Sequence, residues 1–191
     1  MGIRRAVWPR ISGARTDATE FEHLVDAYYR PLFQFALSLT KNQGDASDMT
    51  QQTFYTWAAR GYQLRDGTKA KTWLFTTLYR EFLQARRQQN RFPHYNLDDV
   101  SDELPRIQPA TDERLDASTV LQALGRLPES YQTPLVLFYL GEHSYKEIAE
   151  ILAIPIGTVQ SRIARGKRHL QQMVSGAASR TVSESPAVDS K

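Results

Sequence analysis

The sequence predicts an all-α protein: two small helical domains joined by a flexible acidic linker. Apolar residues recur at helical spacing through both halves, and no apolar–polar alternation marks a strand. The 191 residues, 41% hydrophobic and 24% charged, suit one ordinary soluble domain or two small ones. A proline-broken acidic stretch interrupts the helical pattern near its middle.

Residues 1–18 carry Arg4, Arg5 and Arg10 with Pro9 and Gly13, and read as a mobile basic arm. A helix then begins near Asp17, with Glu20 at capping-box spacing. Phe21, Leu24, Val25, Tyr28, Leu32, Ala36 and Leu39 form its apolar stripe, which Pro31 is expected to kink or end. Gly44 breaks the stripe. A second helix runs from Asp45 to about Arg60. It buries Ala46, Met49, Thr53, Phe54, Trp57 and Ala58, and turns Asp48, Gln51, Gln52 and Tyr55 to the opposite side. Gly61 to Lys71 reads as a loop, and a third helix covers Thr72 to about Gln89. The first domain is therefore 19–92.

Residues 93–115 form the linker, in which Asp98, Asp99, Asp102, Glu103, Asp112 and Glu113 face only Arg106 and Arg114, and Pro105 and Pro109 break any helix. A stretch of ~25 residues extends to roughly 80 Å. The second domain, 116–174, opens with Val120, Leu121, Leu124 and Leu127 before Pro128. Helices are expected over Glu129–Leu140, Ser144–Leu152 and Thr158–Met173, and residues 175–191 read as a small, polar, disordered tail.

Composition excludes several classes. With no cysteine there is no disulfide, zinc knuckle or thiol nucleophile, and the chain suits a reducing cytoplasm, its expected location. His23, His94, His143 and His169 are scattered among different elements, with no metal-binding spacing and no glycine-rich phosphate loop, so neither an enzyme nor a cofactor is expected. The longest apolar run, Pro134–Leu140, is far short of the ~20 residues that span a bilayer, so no membrane insertion is expected. No apolar stretch follows the N-terminal arginines to make a secretory signal.

The strongest local pattern spans residues 144–163. Ser144 and Glu147 have capping-box spacing, and Ala149 is small where two helices would cross. Ile148, Leu152, Ile154, Val159 and Ile163 fill the angle of a helix-turn-helix. Ala153 stands where a glycine often makes the turn, and a left-handed conformation there costs ~1 kcal/mol. Thr158 is placed to cap the second helix, whose polar face carries Gln160, Ser161, Arg162, Arg165, Lys167, Arg168 and His169. No acid occurs between Gly157 and Ser175. A helix with fixed positive charges and no negative ones suits a phosphate-lined groove. Its first residues read base edges, and its later basic ones hold phosphates. An ordinary helical hairpin with a solvated basic face is the competing reading. On the third helix, Thr76, Arg80, Gln84 and Arg87 share a stripe with Trp73, Phe75, Tyr79 and Phe82 nearby. Aromatics that stack on bases and arginines that hold the backbone are the grip used on single strands. The same aromatics also suit a core.

These residues resemble a narrower family. Leu127-Pro128 before a helix, then Ser144 to Ala149 and Gly157 to Leu170, resemble region 4 of extracytoplasmic-function (ECF) sigma factors of the sigma-70 family. Asp45 to Phe54 and Trp73 to Arg80 resemble region 2 of the same family. Together the motifs cover roughly residues 20–172, in the family's order. The resemblance implies that region 4 reads duplex DNA at the −35 element through Thr158, Gln160, Ser161, Arg162, Arg165, Lys167 and Arg168. It implies that region 2 holds the melted −10 strand through Lys71, Trp73, Thr76, Tyr79, Arg80, Gln84 and Arg87. Asp48, Gln51, Gln52 and Tyr55 would dock on the β′ clamp helices of core RNA polymerase, with the β flap as a further contact. The implied partners are thus core polymerase, promoter DNA and an anti-sigma factor. Arg80 and Gln84 depart from the family's asparagine and aspartate, so a relative's −10 consensus does not carry over. A helix-turn-helix regulator that never joins polymerase is the alternative, and it gives no reason for the Asp45–Phe54 motif.

Overall fold

The structure, a computed structural model, describes residues 18–91, 120 and 122–183. The basic arm, the acidic linker and the last residues of the tail lie outside the described residues. Every long element among the described residues is helical, as the periodicity predicts.

α1 (Ala18–Thr40) runs without a break through Pro31, which neither ends it nor divides it. Pro31 cannot donate to the carbonyl one turn back, but Leu32, Phe35 and Ala36 immediately beyond it are fully buried and hold the helix in place. The chain reverses at Lys41, which adopts a left-handed conformation with φ 59°. Asn42 then caps α2 (Gln43–Arg60) by accepting from the Asp45 amide at 3.0 Å. The helix thus starts two residues before Asp45, with Gly44 inside its first turn rather than breaking the chain.

Ala46, Thr50, Thr53 and Trp57 lie along the buried face of α2. Ala58, expected inside, is exposed, because it follows Trp57 by a full 100° of helical turn. Thr50 occupies the inner position instead and satisfies its hydroxyl by donating to the Ala46 carbonyl at 2.7 Å. Two short 3-10 turns, Gly61–Gln63 and Gly67–Lys69, cross to α3 (Ala70–Arg91). Phe35 of α1 meets Phe75 of α3 at 5.5 Å, and Leu74 and Leu78 complete this first core.

In the second half, residues 122–125 are helical, and Pro128 leads into α4 (Glu129–Tyr139). α5 (Tyr145–Leu152) begins with the expected capping box: the Ser144 hydroxyl accepts from the Glu147 amide, and the Ser144 amide donates to Glu147 Oε2 at 2.8 Å. Ala153 ends α5 in a left-handed conformation, φ 52° and ψ 46°. α6 (Ile156–Ser183) follows. It starts two residues before the expected Thr158 cap, because the Pro155 carbonyl already accepts from the Thr158 and Val159 amides. It also continues past Met173 into the stretch read as disordered tail. Gly166 lets α6 press on α4, since a Cβ there would stand 2.7 Å from Leu135 Cδ1.

The two halves pack on one another, with α1 against α4 and α3 against α5, and their buried residues form one continuous cluster. Arg86 Nη1 donates to both carboxylate oxygens of Glu129, at 2.9 Å to Oε1 and 2.8 Å to Oε2. Lys41 Nζ donates to Gln132 Oε1 at 2.7 Å, Lys71 Nζ to the Glu142 carbonyl at 3.1 Å, and the Thr72 hydroxyl to Glu147 Oε1 at 3.2 Å. At the centre the His143 ring stands edge-on to Phe75 at 4.5 Å and is 2% exposed. Gly141 makes room for it, because a Cβ there would lie 2.7 Å from the ring.

Candidate nucleic-acid interface

α6 is positioned by its own inner stripe. Val159, Ile163 and Gly166 face the core, which turns Gln160, Ser161, Arg165 and Arg168 outward. Thr158 sits in the first turn, half-buried, and its carbonyl accepts from the Ser161 hydroxyl at 3.0 Å. Arg162 is half-buried beside the seam between the halves, where its charge reaches the Tyr79 phenol. Lys167 is exposed, yet its ammonium lies 5.0 Å from the Phe138 ring centre and 5.3 Å from that of Tyr139. This cation–π contact gives it a place within its own domain besides any phosphate it reaches. His169 lies against Tyr131 at 5.5 Å.

α3 has three faces. Leu74 and Leu78 enter the core, and Thr72, Phe75 and Tyr79 turn toward the second half. Arg80, Gln84 and Arg87 lie exposed along the third face, beside half-buried Thr76 and Trp73. Trp73 stands edge-on to Trp57 at 5.1 Å, so one edge of its ring is spent on packing. Phe75, counted among the candidate stacking aromatics, is fully buried and has no free face. Tyr79 is half-buried; burial first, then the Glu129 carboxylate, raises its pKa, against smaller opposing effects of Arg162 and Arg86. Lys71 is half-buried and bonded to Glu142, and burial lowers its pKa.

Asp48, Gln51, Gln52 and Tyr55 are all exposed on one side of α2, with Tyr55 at 69%. Reading the sequence alone misses what lies beside them. An open groove of about 800 Å³ runs from Asp45, Asp48 and Gln52 past Glu81 and Gln84 to Glu129 of the second half. Burial raises the Glu81 pKa, opposed by a hydrogen bond from the Thr56 hydroxyl at 3.2 Å. The groove's members come from four helices spread along the chain, so no local spacing announces it.

The described helices include none long and apolar enough to cross a membrane, and no cluster of metal-ligating side chains occurs among the described residues. The arrangement offers surfaces: a basic duplex-sized helix, a basic helix face with aromatics at its margin, and a polar docking face.

Residues 24–92 match Sigma-70 region 2, and residues 118–170 match Sigma-70, region 4. The ECF RNA polymerase sigma factor SigE of Mycolicibacterium smegmatis is 30% identical over 175 residues, 89% of this chain and 67% of that one. SigW of Bacillus subtilis, likewise an ECF sigma factor, is 29% identical over 172 residues, 83% of this chain and 90% of its own length. Among solved structures, the sigma factor RpoE of Bartonella quintana, in complex with the anti-sigma factor NepR, superposes with a TM-score of 0.68. It is 29% identical and covers 83% of this chain and 98% of that chain. The fold is also that of CnrH, solved in complex with the cytosolic domain of CnrY, at a TM-score of 0.57 and 23% identity. Two domains in the family's order, on helices that leave the expected basic and polar faces open, identify the chain as an ECF sigma factor of the sigma-70 family, which directs promoter-specific transcription initiation with core RNA polymerase.

Proposed function

We propose a division of labour within this sigma factor. The unit 116–174 lays α6 in the major groove of the −35 element. Thr158, Gln160, Ser161 and Arg162 meet base edges there, and Arg165, Lys167 and Arg168 hold phosphates. The unit 19–92 holds the melted −10 strand along α3, with Arg80, Gln84, Arg87 and Lys71 on the backbone and Trp73, Thr76 and Tyr79 against bases. Asp48, Gln51, Gln52 and Tyr55 dock on the β′ clamp helices, and the second unit meets the β flap. The protein acts in the cytoplasm, where an anti-sigma factor holds it inactive. Sigma factors as a family are not enzymes.

The observation that carries this reading is the exposed basic stripe Arg80, Gln84 and Arg87 on a helix whose opposite face is fixed in the core. Such a stripe holds a flexible strand without disturbing the fold. Arg80→Ala is expected to lower open-complex formation more than initial promoter binding. Permanganate footprinting of melted thymines beside a gel shift separates the two steps. Intact melting in that variant overturns the assignment.

A further inference from the structure

We infer that Ile156 is a specificity-determining residue of this sigma factor, reading the 5-methyl group of a thymine in the −35 element. The inference rests on the reading of α6 in the major groove given above, and deepens it. Ile156 is the first residue of α6, ahead of Thr158 and of every other residue assigned to the duplex. It is 48% exposed, whereas Val159 and Ile163 of the same helix are buried. Ile154, just before it, is half-buried against the core. Among the described residues, Ile156 belongs neither to the buried cluster nor to the hydrophobic residues packed on it. Its side chain is not what holds the helix-turn-helix together.

On local grounds an exposed isoleucine is a poor way to start a helix. A β-branched side chain loses rotamer freedom there, and an aliphatic one caps no amide. Its apolar surface contributes only when something covers it. The approach to it is open: Pro155 and Gly157 on either side are exposed, and a Cβ added at Gly157 would meet nothing within 4 Å. The basic residues Arg165, Lys167 and Arg168 begin ~14 Å farther along the axis by helical rise. The start of α6 is therefore suited to an apolar contact rather than to a phosphate.

The neighbouring groups say what that contact is. Gln160 is exposed one turn beyond Ile156, and residues four apart on a helix are neighbours. In the major groove a glutamine amide matches the N6 and N7 edge of adenine, and thymine is the base that presents a methyl group. The other residues assigned to base edges are less open. Thr158 and Arg162 are half-buried, and Ser161 gives its hydroxyl proton to the Thr158 carbonyl at 3.0 Å. Ile156 and Gln160 thus form an exposed pair, apolar then amide, at the end of the helix that meets base edges.

The test uses the full-length chain with core RNA polymerase, on a duplex promoter selected by transcription from a library randomised at −35. Each thymine of that element, on either strand, is replaced in turn by deoxyuridine, which removes the 5-methyl group and keeps the hydrogen-bonding edges. At one position the parent is expected to lose about fourfold in affinity, the equivalent of ~0.8 kcal/mol for one methyl group taken from water. In Ile156→Ala the same deoxyuridine is expected to cost nothing further, and Ile156→Val is expected to keep part of the sensitivity. Thermal unfolding of Ile156→Ala is expected to match the parent, because the side chain is exposed. A parent with no sensitive position overturns the inference, as does a sensitivity that survives unchanged in Ile156→Ala. A variant that loses assembly with core polymerase yet keeps the sensitivity places Ile156 on a protein surface and also overturns it. If Gln160→Ala shifts the −35 preference while deoxyuridine has no effect, the thymine contact alone falls. If Ile156→Ala, Gln160→Ala and Arg162→Ala all leave the preference unchanged, the reading of α6 falls with it.

Discussion

His143 gives the fold a pH dependence whose size follows from its surroundings. The ring is buried between α3 and α5, and burial first, then the nearby Lys71 ammonium, lowers its pKa from 6.5 to about 4, against an opposing effect of Glu147. Glu142, whose carbonyl holds Lys71, is the further acid on the same turn. Because the folded value lies below the ordinary one, the unfolded chain binds the proton more readily. The stability contributed by the neutral ring is complete above pH 6.5 and is lost as the pH falls toward 4. Between pH 7 and pH 5 these two values give a loss of about 2 kcal/mol. For a chain of this size that is a fall in Tm of roughly 4–8 °C. His143→Leu keeps a side chain of similar volume and removes the titration. Thermal unfolding of both proteins at pH 7 and pH 5 is the assay, with Glu147 still ionised at the lower value. The variant is expected to lose about 2 kcal/mol less than the parent over this interval. It is also expected to be the more stable at pH 7, because two unpartnered ring nitrogens leave the interior. Equal pH dependence in the two proteins refutes the reasoning.

Three further outcomes follow from the surfaces and caps. Asp48→Arg with Gln52→Ala is expected to abolish association with core polymerase in gel filtration and to leave the circular dichroism unchanged, because both residues are exposed on α2. In a promoter-variant transcription screen, changes at Gln160, Ser161 and Arg162 are expected to alter −35 sequence preference. Arg168→Ala is expected instead to weaken all sequences alike and to reduce the salt slope by about one; the reverse order refutes the assignment. Ser144→Ala removes one arm of the capping box, and its denaturant midpoint is expected to report a loss of ~1 kcal/mol.

What the sequence made legible was local. The Ser144–Glu147 cap and the inner stripe of α6 each rest on residues within a turn or two of one another, and both are found as read, while Ala153 takes the left-handed conformation despite the cost its side chain carries there. The misreadings have local causes too. Thr158 is a good capping residue by type, but a proline carbonyl three residues earlier starts the helix first. Ala58 is apolar, but it lies off the stripe that Ala46, Thr50 and Trp57 define. The groove beside α2 and the seam between the halves were illegible for a different reason. Lys41 and Gln132 are 91 positions apart, and Arg86 and Glu129 are 43 apart, so no periodicity connects them.

α3 shows why that missing information bears on function. Read as a single helix it has one apolar face and one basic face, and its aromatics all count as candidates for stacking on bases. The structure divides them: Phe75 is committed to the core and to His143, Trp73 partly to Trp57, and Tyr79 to the seam. Arg80, Gln84 and Arg87 are the members of the stripe that stay exposed in the packed arrangement. For the proposed grip on a strand, the charges of Arg80 and Arg87 are thus reachable in the packed arrangement, whereas the Tyr79 ring is half-buried there. Charge recruits without sequence preference, and stacking needs unpaired bases.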